Sequence, residues 1–116
     1  MNDAAQNDAQ LNDMILEGKL LEAFDKFYAD DVTMTEPSGV RVGKQANREY
    51  EEKFLASVQE FHGASLVSSA SDNDVSFAEW VFDVTFQDGN RVKMEQTAVR
   101  RWSAGKVISE RFYYNA

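Results

Sequence analysis

QTAVRRWSAGKVISERFYYN, residues 96–115, alternates side-chain character on either side of Ser103-Ala104-Gly105, and reads as two antiparallel strands joined by a tight turn. Neighbours on a strand point to opposite faces, so Glu110 and Arg111 cannot look the same way. One of the two charges must face the interior. A three-residue loop with glycine last, in the left-handed conformation, sets Trp102 opposite Lys106, and places Ala98 beside Glu110 and Gln96 beside Phe112.

The same reasoning extends upstream. Gln87-Asp88-Gly89 sets Phe86 opposite Asn90, and with it Trp80 beside Gln96 and Phe82 beside Met94. Asp72-Asn73-Asp74, treated likewise, sets Leu66 beside Trp80 and His62 beside Val84. Strands are expected over 61–71, 75–87, 91–103 and 106–114. One face then collects His62, Leu66, Trp80, Phe82, Val84, Met94, Trp102, Ile108 and Phe112, while the other mixes Glu79, Asp83, Lys93, Glu95, Arg101 and Arg111. The apolar face is the inner one, so Glu110 points inward and Arg111 outward near Glu95. A one-residue slip of register would reverse every assignment.

Ahead of the strands the period is helical. Leu11, Met14, Ile15, Leu20, Leu21, Phe24, Phe27 and Tyr28 recur at three- and four-residue spacing, interrupted by Gly18, which predicts two short helices meeting near 17–19. Residues 30–36 predict a short strand stopped by Pro37 and the turn residues Ser38 and Gly39. A further helix runs from near Gly43 to about Val58, with Ala46, Tyr50, Phe54, Leu55 and Val58 as its buried stripe. Helices followed by a meander of long strands specify an α+β domain, its helices packed on one face of a curved sheet. Residues 1–10 read as a mobile lead-in and 11–116 as one domain.

Composition narrows the function classes. The chain has 116 residues, 43% of them hydrophobic, so it builds one core. Its net charge of -8 argues against nucleic acid and anionic membrane as partners. Without cysteine there are no disulfides, thiol nucleophiles or thiolate metal sites. The acidic, polar start is unlike a signal peptide, no apolar run is of spanning length, and a soluble, cytoplasmic protein is expected.

Chemistry is expected on the inner face. An inward carboxylate costs several kcal/mol unless paired, hydrogen-bonded or protonated, and the register offers Glu110 three neighbours: Gln96, Arg100 and the Tyr114 hydroxyl. Arg100 either neutralises Glu110 as a purely structural pair, or tunes it as an acid or base in a cavity. Trp80 and Trp102 read as core or cavity wall. His62, the single histidine, is expected at the far end of the sheet, and Glu36 at a cavity mouth.

FYADDV at 27–32, VGKQANREYEEKFLASV at 42–58 and the closing stretch at 96–115 together resemble the SnoaL-like branch of the nuclear transport factor two-like superfamily, over nearly the whole chain from Leu11. The resemblance implies a cone: a curved mixed or antiparallel sheet wrapped around N-terminal helices, with an apolar pocket at the open end and pairing into a homodimer through the convex face. The superfamily includes polyketide cyclases and ketosteroid isomerase, dehydratases and hydrolases, and members that only bind. This chain departs from the cyclase-type pockets, lacking clear equivalents of their Asp and His, and carries Asn115 where an aspartate commonly follows the last tyrosine pair.

Residues and resemblance combine into one expectation, a binder of a small, largely apolar molecule. If it is an enzyme, it is a cofactor-independent isomerase, cyclase or hydratase acting by carboxylate acid–base chemistry beside a carbonyl. Glu110 and Tyr114 are its candidate catalytic residues, and Gln96, Arg100, Trp80, Trp102, Phe82, Met94, Phe112, Leu66 and His62 its candidate pocket residues. No cofactor, metal, nucleic acid or membrane is expected. The alternative is a noncatalytic ligand carrier or dimeric interaction module.

Overall fold

A computed structural model describes residues 3–115. Of the expected segments, Met1 and Asn2 of the lead-in and the final Ala116 lie outside the described residues. The elements run α1 (Ala4–Leu16), α2 (Leu20–Phe27), β1 (Tyr28–Glu36), β2 (Gly39–Val42), α3 (Lys44–Ser57), β3 (Val58–Asp72), β4 (Val75–Phe86), β5 (Arg91–Ser103) and β6 (Lys106–Tyr113). The strands form one mixed sheet in the order β2-β1-β6-β5-β4-β3. Only the β1–β6 pairing is parallel; the rest are antiparallel. The expected α+β architecture, helices first and then a meander, is present.

The expected lead-in is instead helical. Asp3 caps α1, its carboxylate accepting from the backbone N–H of Ala5 at 3.0 Å, and Asp8 and Asn12, one turn apart, are buried. The apolar stripe is visible only from Leu11 because upstream of it the buried face offers only the small Ala4 and the polar Asp8. The helix break falls where glycine predicts it. Gly18 sits at φ 82°, and the N–H of Lys19 reaches back to the Met14 carbonyl at 2.9 Å, closing α1 and turning the chain into α2.

Residues 39–42, of which Gly39 is expected as turn and the rest have no expected element, form edge strand β2, with Glu36 opposite Gly39. Asn47 explains how so short a strand is held. Fully buried, its Nδ2 donates to the carbonyls of Gly43 (2.8 Å) and Arg41 (3.2 Å) and its Oδ1 accepts from Arg41 Nε (3.1 Å), tying β2 to the start of α3.

The β4–β5 register is as expected, Trp80 opposite Gln96 and Phe82 opposite Met94. Buried Ser76, Ala78 and Trp80 alternate with exposed Phe77 and Glu79, which fixes the inner face. At β5–β6 the turn differs. Ala104 and Gly105 both take positive φ, making a two-residue turn with Ser103 opposite Lys106, and a bulge after Arg101 skips Ile108. The two corrections leave the parity unchanged and the pairing two residues further on. Arg100, not Ala98, lies opposite Glu110, and Val107 is buried while Ile108 is exposed.

Strand β3 carries three register shifts. Bulges bend a strand, and this series curls the sheet's edge around the helices. The bulge between Phe61 and Gly63 displaces His62 from the position expected opposite Val84 and puts Phe61 there. The core gathers Leu11, Phe24, Phe27, Tyr28, Val32, Met34, Trp102 and Val107, with Phe24 stacked on Tyr28 at 4.5 Å and Phe27 edge-on to Trp102 at 5.9 Å.

Candidate functional site

Between the concave face and the helices lies a cavity of about 560 Å³. Eight of the eleven expected site residues line it: Glu110, Tyr114, Gln96, Arg100, Trp80, Phe82, Met94 and Phe112. Three do not. Trp102 is core, its Nε1 donating to Ser76 Oγ at 2.9 Å. Leu66 is half-buried opposite Trp80 but outside the lining. His62, displaced by its bulge, is exposed and meets Thr85 Oγ1 at 2.7 Å, remote from the inner face.

Glu110 faces inward as the strand period demands, and is 1% exposed. Its carboxylate is fully engaged. Oε2 accepts from Arg100 Nε at 2.8 Å, and Oε1 accepts from the Tyr28 hydroxyl. Arg100 continues the chain, its Nη1 donating to Asp8 Oδ1 and Asn12 Oδ1, each at 2.7 Å. Asp8 in turn accepts from Ser76 Oγ at 2.8 Å. This buried network runs from α1 across β5 to β6 and β1. Burial opposes the charge on Arg100, but Glu110, Tyr28 and Asp8 more than offset it and raise its pKa. Burial, then the Glu110 charge, pushes the Tyr28 hydroxyl well above its usual value. Tyr114, expected beside Glu110, instead donates to Glu36 Oε1 at 2.8 Å. Tyr28, at the α2–β1 junction, takes the place expected for it.

At the mouth, Glu36 ends β1 and is shared by Tyr114 and Arg41. Arg41, from β2, lies over the Tyr50 ring, its Cζ 3.5 Å from the centroid. Burial and Glu36 push the Tyr114 hydroxyl up to about 12.

The residue that sequence reasoning missed is Glu51. It lines the cavity from α3, half-buried, and among the described residues makes no hydrogen bond or ion pair. Burial raises its carboxyl to about 7, assisted by the charges of Glu110 and Glu36 and opposed by Arg41. The spacing 47, 51, 54, 55, 58 was a signal for it. Asn47, Glu51, Phe54, Leu55 and Val58 share one helical stripe, and a carboxyl on a buried stripe marks a group in an unusual medium.

Chemically, then, the cavity offers apolar and aromatic walls, two engaged carboxyls, Glu36 and Glu110, and one, Glu51, that is unpaired among the described residues and exchanges its proton near neutrality. No cluster of His, Asp or Glu able to hold a metal occurs among the described residues. No helix is long and apolar enough to cross a membrane.

The SnoaL-like domain family matches residues 4–114. Among solved structures, a candidate SnoaL-like polyketide cyclase [carbohydrate phosphatase] from Mesorhizobium loti is similar at 29% identity and TM-score 0.85, covering 97% of this chain and 99% of its own. A nuclear transport factor two-like protein of unknown function from Burkholderia pseudomallei is similar at 14% identity and TM-score 0.83, covering 99% and 92%. A nuclear transport factor two-like protein from Anabaena variabilis is similar at 19% identity and TM-score 0.82, covering 97% of this chain and 90% of its own. No curated protein sequence matches the chain.

Proposed function

Because the chain belongs to the SnoaL-like domain family of the nuclear transport factor two-like superfamily, we propose that its cavity holds one small, largely apolar molecule and exchanges a proton with it through the Glu51 carboxyl. The reaction class is cofactor-independent isomerisation, cyclisation or hydration beside a carbonyl, each of which needs one proton moved in a dry site. A single observation carries this reading. Glu51 lines an apolar cavity without a partner, and its carboxyl is raised to about 7, where it serves equally as acid and base.

Glu110 takes a different part from the one its position predicted. With both oxygens engaged by Arg100 and Tyr28, it holds the floor of the cavity and keeps α1 on the sheet. It is a positioning residue, and its negative charge helps hold the Glu51 proton. Gln96 and Tyr114 line the wall and remain the candidates to orient a ligand oxygen.

The saturation of Glu110 also favours a second reading, a noncatalytic carrier, because it removes the acid–base group expected on β6. The two separate in deuterium oxide. A bound carbonyl probe such as an enolisable aryl ketone exchanges its α-protons faster with the wild-type protein than with Glu51→Gln if Glu51 moves protons. Equal exchange at equal occupancy leaves only the carrier.

Pairing through the convex face belongs to the same proposal. Exposed Phe77 and Tyr113 stand on that face beside Val99 and Thr97. Light scattering at a dimer mass supports it, and a monomer mass removes it.

A further inference from the structure

The charges around the cavity do not balance. Its lining carries three carboxyls, Glu36, Glu51 and Glu110, against one guanidinium, Arg100. Arg41 offsets Glu36 from outside the lining, while Arg100 is shared between Glu110 and Asp8. Glu36 and Glu110 are thus each met by a guanidinium while Glu51 meets none among the described residues, so ionisation of Glu51 leaves a negative charge in the enclosure without a counter-ion. The walls that enclose this excess are aromatic, with Phe24, Tyr28, Tyr50, Trp80, Phe82 and Phe112 among them. Trp80 and Phe82 stack on one another at 5.3 Å, forming one aromatic block of the wall.

Aromatic faces are electron-rich, and they attract an organic cation that has shed its water. A carboxylate in the same enclosure supplies the counter-charge, and without one an ammonium could not leave water at tolerable cost. A neutral apolar ligand would use the rings and leave Glu51 unmet. An anionic ligand would meet the Glu51 charge where Arg100 is already held by Glu110 and Asp8.

We propose that the ligand of this cavity is an apolar amine, its ammonium group seated against the Glu51 carboxylate and its hydrocarbon body on the aromatic wall. The inference rests on the reading of the cavity as a ligand site and names the chemical class it takes. It also fits proton transfer, since an ammonium beside a carbonyl acidifies the C–H bond between them.

The groups that face Glu51 set the pH dependence. Glu110 on β6 and Glu36 on β1 repel its charge, and Arg41 on β2 attracts it. Tyr28 stays neutral because its own hydroxyl is raised. An amine that stays protonated to about pH 10 gains its counter-ion only as Glu51 ionises, so its affinity rises with pH through about 7.

Calorimetric titration of the wild-type protein with 3-phenylpropylamine, 3-phenylpropanol and 3-phenylpropionate tests this, since the three share one body and differ in charge. At about pH 8 the amine is expected to bind at least roughly tenfold tighter than the alcohol, with the acid weakest. The preference for amine over alcohol shrinks toward about pH 5.5, and Glu51→Gln abolishes its pH dependence while the alcohol's affinity is retained. Alcohol binding as tightly as amine overturns the amine proposal and leaves the ligand site standing. Tightest binding by the acid overturns it as well. Failure of all three to bind removes the ligand-site reading and this inference with it.

Discussion

At the scale of the residue, two carboxyls in one cavity have been given different work by their surroundings. Glu110 was legible because strand parity leaves no alternative. Either Glu110 or Arg111 faces in, and the apolar company of Trp80, Phe82 and Phe112 decides which. Its partners were only half legible. Arg100 was in reach of the register, but Tyr28 comes from a different element, and nothing in periodicity brings β1 alongside β6 in parallel. Glu51 was overlooked because a glutamate on a helix is ordinarily solvated, and Tyr50 beside it claimed the stripe. Its raised pKa makes a stability prediction with a definite sign. The folded pKa, about 7, exceeds the ordinary 4.5, so the folded protein holds this proton more tightly than the unfolded chain does. The stability contribution is complete below about pH 4.5 and is lost as pH rises through about 7. Glu51→Gln should therefore stabilise the protein at about pH 8 by about 2 kcal/mol, a value reduced for partial exposure, and leave it nearly unchanged at about pH 4. Thermal melts of both proteins at the two pH values check this.

Among the elements, α1 is the one whose role the sequence concealed. Its inward face carries, beside Ala4 and Leu11, the polar Asp8 and Asn12, which supply Arg100 with two of its acceptors. A polar inward face defeats hydropathy patterning, so the first half of this helix, which brings Asp8 into the buried network, reads as a lead-in while the half from Leu11 reads as helix. Asp8→Ala removes one carboxylate from around a buried guanidinium, and should cost about 3 kcal/mol in urea unfolding. A loss below about 0.5 kcal/mol would mean that α1 is peripheral. Strand β3 shows the complementary limit. Its turn is a two-residue one, Asp72 opposite Val75 in place of the expected three-residue loop, and the bulge between Leu66 and Ser68 restores the expected pairing of Leu66 with Trp80; bulges leave no reliable mark in composition. His62 moved off the inner face for that reason alone. In β6 the two-residue turn and the bulge after Arg101 together preserved parity, so Glu110 stayed inward although its partner changed. Arg100→Met, by leaving Glu110 buried and unpaired, should cost about 3–5 kcal/mol; Arg100→Met with Glu110→Gln should recover part of it.

Across the whole molecule, the long strands of the sheet and the helices follow from a pattern that the sequence displays almost continuously: helical period, a short strand, helical period again, then strands at regular spacing. The cavity is less local. It exists because β3 bends over helices that do not fill the concave face, and its content is decided by side chains from α1, α2, α3 and five strands. Reading it needs the tertiary fold, which is why eight of eleven expected site residues were found while its one unpaired carboxyl was not. The excess of acid over base in the lining repeats, at close quarters, the net charge of -8 carried by the chain. Solubility alone explains charge on a surface, but not carboxyls turned into an aromatic enclosure.

The account stands on Glu51 being a free, near-neutral titrating group inside the cavity. Carbon-13 NMR of the glutamate carboxyls, with Glu51 assigned by its loss in Glu51→Gln, measures this directly. A titration midpoint close to 7, moving downward when 3-phenylpropylamine is added, is the predicted result. A midpoint near 4.5 that no ligand shifts would contradict it, placing Glu51 in ordinary solvent and leaving the cavity without its acid–base group.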